Sequence, residues 1–172
     1  MSTDPTRIDI SFDPRERRMR GYARHGNTPF DVPFVSQITD DLWTGGCEDC
    51  LVLPANIAHV VSLYPWETYR VEHEIRSVLS VVMYDSADQG FAQVNAIAAW
   101  VNVCRHSGPT LVHCQAGLNR SALVAARALM LRDGLSGAQA IALLREKRSP
   151  AVLCNRTFEA WLKTADLEEE AA

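Results

Sequence analysis

The sequence predicts an α/β domain built on a mostly parallel central sheet flanked by helices, with a helical C-terminal third. Three observations point there. Short apolar runs of strand length alternate with longer stretches in which apolar residues recur at helical spacing. The runs at 59–63 and 110–113 are compact and apolar, as buried strands are. The chain has 172 residues, 47% hydrophobic and 22% charged, which suits one globular domain and excludes wholesale disorder. A domain of this length buries roughly 70% of the surface its unfolded chain exposes, so its core needs no metal or disulfide.

Taken in order, residues 1–32 read as a charged N-terminal arm. Arg7, Arg15, Arg17, Arg18, Arg20 and Arg24 are interleaved with Asp4, Asp9, Asp13 and Glu16, and hydrophobes are sparse. The folded domain is expected at 33–167, and 168–172 reads as an acidic tail. Within the domain, 34–38 and 42–44 are short strand candidates split by the turn-forming Thr39-Asp40-Asp41. Strands follow at 59–63 and 78–84. Phe91, Val94, Ile97, Ala98 and Val101 recur at helical spacing over 91–104. Ser107-Gly108-Pro109 breaks that helix, and 110–113 reads as a central strand. A helix over 121–132 stops at Gly134. Ser136 and Gln139 form a capping box for a helix through Lys147, which Pro150 ends. A last helix covers 157–167.

Charge and composition exclude several function classes. The formal net charge is −4, whereas a protein that grips nucleic acid by its phosphates shows a basic excess, so nucleic acid is not an expected partner. No apolar run approaches the roughly 20 residues that span a bilayer, so no membrane association is expected. The N-terminal stretch lacks the apolar centre of a secretory signal, and a cytoplasmic location is the expectation. Five cysteines, Cys47, Cys50, Cys104, Cys114 and Cys154, cannot all pair within one chain, so free thiols are expected. Cys47-Glu48-Asp49-Cys50 spells C-x-x-C, but a structural zinc site needs a second pair or nearby histidines, and the sequence offers none. These two read as incidental thiols near a helix start.

One stretch stands apart: Leu111-Val112-His113-Cys114-Gln115-Ala116-Gly117-Leu118-Asn119-Arg120-Ser121. It follows a predicted strand and opens a predicted helix. Backbone N–H groups in such a turn, with the helix N-terminus behind them, form an anion cradle. Gly117 lets the chain curl without a Cβ clash. Arg120, at the helix start, can fork two phosphate oxygens. Cys114, at the mouth, faces the same positive field, which favours its thiolate. A thiolate held against a bound phosphate is a nucleophile aimed at phosphorus. The bland reading, a buried cysteine with a surface arginine further on, explains neither the flanking residues nor the strand and helix around them.

His113 to Ser121 resembles the signature His-Cys-x5-Arg-Ser/Thr of the cysteine-dependent protein tyrosine phosphatase superfamily. The short chain and the layout around the loop resemble its dual-specificity branch, over residues 34 to 162. Leu42-Trp43-Thr44-Gly45-Gly46 resembles an early strand of that branch. Asn155-Arg156-Thr157-Phe158 resembles its Asn-x-x-Phe, whose asparagine braces the phosphate loop. The resemblance implies a phosphatase fold and a division of labour. Cys114 attacks phosphorus and forms a cysteinyl phosphate. Arg120 binds the phosphoryl oxygens together with the loop amides of Gln115, Ala116, Gly117, Leu118 and Asn119. Ser121 eases the departure of the sulfur, His113 orders the loop and tunes the thiol, and Asn155 supports it. A general acid comes from an aspartate after the preceding strand. Asp85 follows that strand directly and fits better than Asp88. No metal or nucleotide cofactor is called for.

The same resemblance bears on the substrate. No segment resembles the phosphotyrosine-recognition loop of the large tyrosine-specific enzymes, so a shallower cleft open to phosphoserine, phosphothreonine and phosphotyrosine is expected. The variable loop positions Gln115, Ala116, Leu118 and Asn119 are uncharged, which argues against a highly anionic lipid head group. Asn119 departs from the serine common in dual-specificity loops and resembles the loop of RNA 5′-triphosphatase domains, an alternative ranked lower on charge. A catalytically silent phospho-binding module is a further alternative; a rhodanese-like sulfurtransferase is disfavoured by the complete signature. Tyr64-Pro65-Trp66-Glu67 forms either a cleft wall or a hydrophobic edge. Arg145, Lys147 and Arg148 read as a solvated helix face. Cys104 and Cys154 read as partly buried packing residues.

Overall fold

In β5 (His59–Ser62) and β7 (Thr110–His113) every residue is buried, and successive side chains serve opposite faces. Val61 and Val112 join the main core, whereas Val60 and Leu111 join a second cluster. A sheet that buries both faces reads as a continuous apolar run, which is why these strands lack polar alternation. The computed structural model describes residues 22–25, 28–31, 34–47, 49 and 51–169.

Two antiparallel strands, β1 (Tyr22–His25) and β2 (Thr28–Asp31), form a separate hairpin inside the segment read as a charged arm. The central sheet contains β3 (Val35–Gln37), β4 (Leu42–Gly45), β5, β6 (Ser77–Ser80) and β7 in the order β3-β4-β7-β5-β6. Only β3 runs antiparallel; the other pairings are parallel. The sheet is thus mostly parallel, as expected. Among the described residues the helices are α1 (Phe91–Arg105), α2 (Arg120–Asp133), α3 (Gly137–Lys147) and α4 (Arg156–Glu169).

The helices supply the main core, with Val94, Ile97, Ala98 and Val101 of α1 and most of α2 buried in it. The second face is closed by Leu53, Ile57, Tyr69 and Ile75 from irregular segments. Among the described residues, then, the two faces are not both covered by helices. The expected strand at 78–84 is shorter than its apolar run. Val81 N–H still donates to Ser62 O at 2.8 Å, but the chain then leaves the sheet. Beyond it, Met83 is buried in the main core, whereas Val82 and Tyr84 are exposed. The Ser136–Gln139 capping box is present in full at the start of α3.

Candidate active site

β7 lies between β4 and β5, so the chain leaving its C-terminal end enters a crevice between two parallel neighbours. In open α/β sheets that end is where ligands sit. Cys114 N–H donates to Gly45 O at 3.1 Å, and the loop then turns into α2 at Arg120.

The loop's carbonyls are held from outside. Gln115 O accepts from Cys47 N at 3.1 Å, and Leu118 O accepts from Leu153 N at 2.9 Å. Ala116 O accepts from Arg148 Nη2 at 3.2 Å, and Gly117 O from Arg148 Nε at 2.5 Å. A trans peptide points its C=O and the next N–H in opposite directions. Four carbonyls drawn outward therefore turn the N–H groups of Ala116, Gly117, Leu118 and Asn119 toward the loop interior. Gly117 N–H donates to Cys114 Sγ at 3.3 Å. Gly117 has φ +72°, and a Cβ there would run into the backbone of Gly45. Gly46, just past β4, lets the backbone press against the loop at Gln115 and Ala116, and a Cβ on Gly45 would meet Phe34 and Val35.

Cys114 is 2% exposed. Burial pushes its thiol up, but the Arg120 charge and a side-chain and a backbone hydrogen bond from Ser121 outweigh burial, and the net direction is down; the Asp85 charge opposes. The sulfur lies 3.5 Å from Ser121 Oγ. Arg120 Nη1 donates to Met83 O at 3.2 Å, and its Nε is buried with no acceptor among the described residues. The guanidinium carbon lies 5.4 Å from the centroid of the Tyr64 ring. Burial holds His113 neutral, its pKa lowered to about 4, with a backbone contact at Cys114 acting the other way.

Asp85 is 6% exposed and accepts from Asn119 Nδ2 and from Asn155 Nδ2, each at 3.0 Å. Asn155 N–H in turn donates to Asn119 Oδ1 at 3.0 Å. The loop asparagine, the aspartate after β6 and the asparagine before α4 therefore meet in one buried knot. Asp88 is exposed, and its backbone N–H donates to Ser86 Oγ at 3.2 Å. The sequence-predicted residues Cys114, Arg120, Ser121, Asp85, Asn119 and Asn155 come together. Leu118 sits in the core and contributes backbone only.

Tyr64 lines the site, accepting from Gln115 Nε2 at 3.1 Å, and Trp66, 61% exposed, stands edge-on to it with centroids 4.9 Å apart. Tyr64 thus touches the loop side chains Gln115 and Arg120, and it also packs against the main core. Cys47 is buried and its thiol donates to Glu67 O at 3.3 Å; no described helix starts beside it, and Cys50 lies outside the described residues. Cys104 is buried and Cys154 half-buried. Arg145 pairs with Glu159 at 2.8 Å, and Lys147 with Glu146 at 3.3 Å.

The reading of Arg148 as a solvated residue is wrong. Arg148 closes α3 with a non-helical backbone, which turns its side chain inward beneath the loop, where it also donates to Ser36 Oγ at 3.1 Å. Burial pulls its guanidinium down to about 10, still charged at neutral pH, and the nearby Cys114 and Tyr69 act the other way. Helical periodicity placed it beside Arg145 and Lys147; the helix end was the signal that it points elsewhere.

A family model described as dual specificity phosphatase, catalytic domain, matches residues 52–167. No curated protein matches the sequence. Among solved structures, a mouse dual-specificity-type protein complexed with zinc tungstate is 22% identical, with TM-score 0.69, covering 85% of this chain and 96% of that one. Human DUSP28 is 20% identical, with TM-score 0.66, covering 80% and 96%. Pseudomonas aeruginosa TpbA, solved with pTyr, is 17% identical, with TM-score 0.58, covering 98% and 95%. At these identities the likeness shows the fold. Since the family model spans well over half of the sequence and takes in the strand, loop and helices that build this crevice, the chain belongs to the dual specificity phosphatase catalytic-domain family, within the cysteine-dependent protein tyrosine phosphatase superfamily.

Proposed function

We propose that the protein is a phosphoric monoester hydrolase acting on phosphoprotein Tyr, Ser or Thr through a cysteinyl-phosphate intermediate. The observation that carries this is the convergence, on one loop, of a favoured thiolate, inward-facing amides and an arginine whose Nε has no acceptor among the described residues. Cys114 Sγ attacks phosphorus, and the P–O ester bond breaks. Its electron pair leaves on the ester oxygen, which takes a proton from Asp85. Arg120 and the loop amides neutralise the equatorial oxygens. Asp85 then accepts a proton from water as that water attacks phosphorus. The P–S bond breaks, and Ser121 Oγ stabilises the departing thiolate.

The Tyr64–Trp66 wall beside Arg120 supports an aryl phosphate as a good substrate, since a flat ring stacks there at low entropic cost. The tungstate of the mouse structure and the pTyr of the TpbA complex are in line with this reading.

Wild type and Cys114→Ser are compared on p-nitrophenyl phosphate at mildly acidic pH. Turnover by wild type and none by the variant is expected; equal turnover, or none by either, defeats the proposal. Asp85→Ala should slow phenyl phosphate, a poor leaving group, about a hundredfold more than p-nitrophenyl phosphate. If Asp88→Ala does so instead, the proton donor is Asp88. Tight vanadate binding without turnover would favour the phospho-binding module.

A further inference from the structure

We propose that Asn119 is a positioning residue: its side-chain amide holds the Asp85 carboxylate against the phosphate loop instead of capping the helix it precedes. The inference rests on Asp85 being the proton donor.

Asn119 occupies the residue before α2, where an asparagine ordinarily turns its oxygen onto the first free N–H groups of the helix. It makes no such bond, and its backbone, at φ −109° and ψ −72°, is not the extended form that capping uses. The side chain is 1% exposed and committed elsewhere. The helix N–H groups that it leaves uncapped face the loop's anion site.

The orientation of the amide follows from its partners. Asn119 Oδ1 accepts from the backbone N–H of Asn155 at 3.0 Å and from the Cys154 thiol at 3.3 Å. A flipped amide would set its NH2 against a backbone donor. Nδ2 is therefore the end that reaches Asp85 Oδ2. The second asparagine is locked in the same way. Asn155 Oδ1 accepts from Thr157 N at 3.1 Å and from Phe158 N at 3.4 Å, which leaves its Nδ2 for Asp85 Oδ1. Each carboxylate oxygen thus meets an NH2 that cannot turn away without losing a backbone partner. Asn119 is the member that belongs to the loop itself, so it sets the aspartate relative to Cys114 and Arg120. A serine at 119 is too short to reach both Asp85 and the backbone of Asn155.

The test uses Asn119→Ser and Asn119→Asp, the second keeping the size and losing the donor. Hydrolysis of phenyl phosphate and of p-nitrophenyl phosphate is measured, with the rate of Cys114 alkylation by iodoacetamide as a report on the loop. For both variants phenyl phosphate turnover should fall about tenfold more than p-nitrophenyl phosphate turnover, because proton delivery matters most for the poorer leaving group. Alkylation by Asn119→Ser should match wild type. Introduced into Asp85→Asn, Asn119→Ser should add no further discrimination between the esters. Equal losses on both esters, or further discrimination added by Asn119→Ser in the Asp85→Asn background, would overturn the positioning role. If Asp85→Asn alone fails to discriminate, the proton-donor reading falls, and that outcome is told apart by the single variant.

Discussion

Gly117 and Gly134 share a left-handed backbone, at φ +72° and +67°, yet their surroundings differ. Gly134 caps α2 and has open space where a Cβ would stand; Gly117 is pressed against Gly45 and Gly46. Gly134→Ala should therefore cost only about 1 kcal/mol of stability, with activity intact. Gly117→Ala must displace the loop or β4, and an ångström of displacement at the reacting atoms costs about a hundredfold in kcat/KM. Urea denaturation and steady-state kinetics on both variants check this. Comparable activity in the two would show that the loop tolerates a different path. Arg148 acts at the same scale, since one side chain below the loop fixes two of its carbonyls.

At the scale of elements, the end of the sheet opposite the site is fastened by Arg105. This side chain leaves the last turn of α1 and donates to Asp41, just before β4, and to Asp133, at the end of α2, each at 2.9 Å. Arg132 pairs with Asp41 from α2. Burial raises the Asp41 carboxyl, but hydrogen bonds from Arg132, Arg105 and Thr39 dominate and lower it to about 2. Arg105 is itself buried, but Asp41 and Asp133 are partly exposed and Asp41 keeps Arg132, so removing it costs hydrogen bonds to charged groups rather than stranding a buried charge. Arg105→Met should lower stability by about 2 kcal/mol. Activity measured well below the unfolding transition should be unchanged, because the network lies across the sheet from Cys114. A loss of under 1 kcal/mol in urea titration would show that water replaces the guanidinium at little cost.

For the whole molecule, acid is the weak direction. His113 ionises at about 4 in the fold against an ordinary value of 6.5. Between those values the unfolded chain binds a proton that the fold does not, so stability rises with pH across that window and is lost as pH falls from about 6.5 to about 4. The loss is about 3 kcal/mol at the lower end. Asp41 adds a second stage, since its contribution disappears as pH falls from 3.8 toward 2. His113→Asn should flatten the stability profile between pH 6.5 and 4 while leaving the lower stage in place, as measured by thermal unfolding across pH. A wild-type Tm that is constant between pH 7 and 4 would contradict the burial of a neutral histidine at this position.

Whatever was written in short segments could be read from the chain. The 110–113 run, Gly117, Arg120 and the Ser136–Gln139 box depend on neighbours within a few residues, where periodicity and capping chemistry operate. Asp85 was reached from a strand expected to run to Tyr84, whereas β6 ends at Ser80 and four residues intervene. Long-range contacts were beyond such reading. Asn119 reaches Asp85 across 34 positions, Gln115 reaches Tyr64 across 51, and Arg148 reaches Ser36 across 112. A backbone turn at the end of α3 converts Arg148 from one of three basic residues near the helix end into the support of the phosphate loop. Local sequence sets which conformations a segment prefers, but a buried polar side chain takes whichever partner folding brings within reach, and only the assembled sheet and helices decide which one that is.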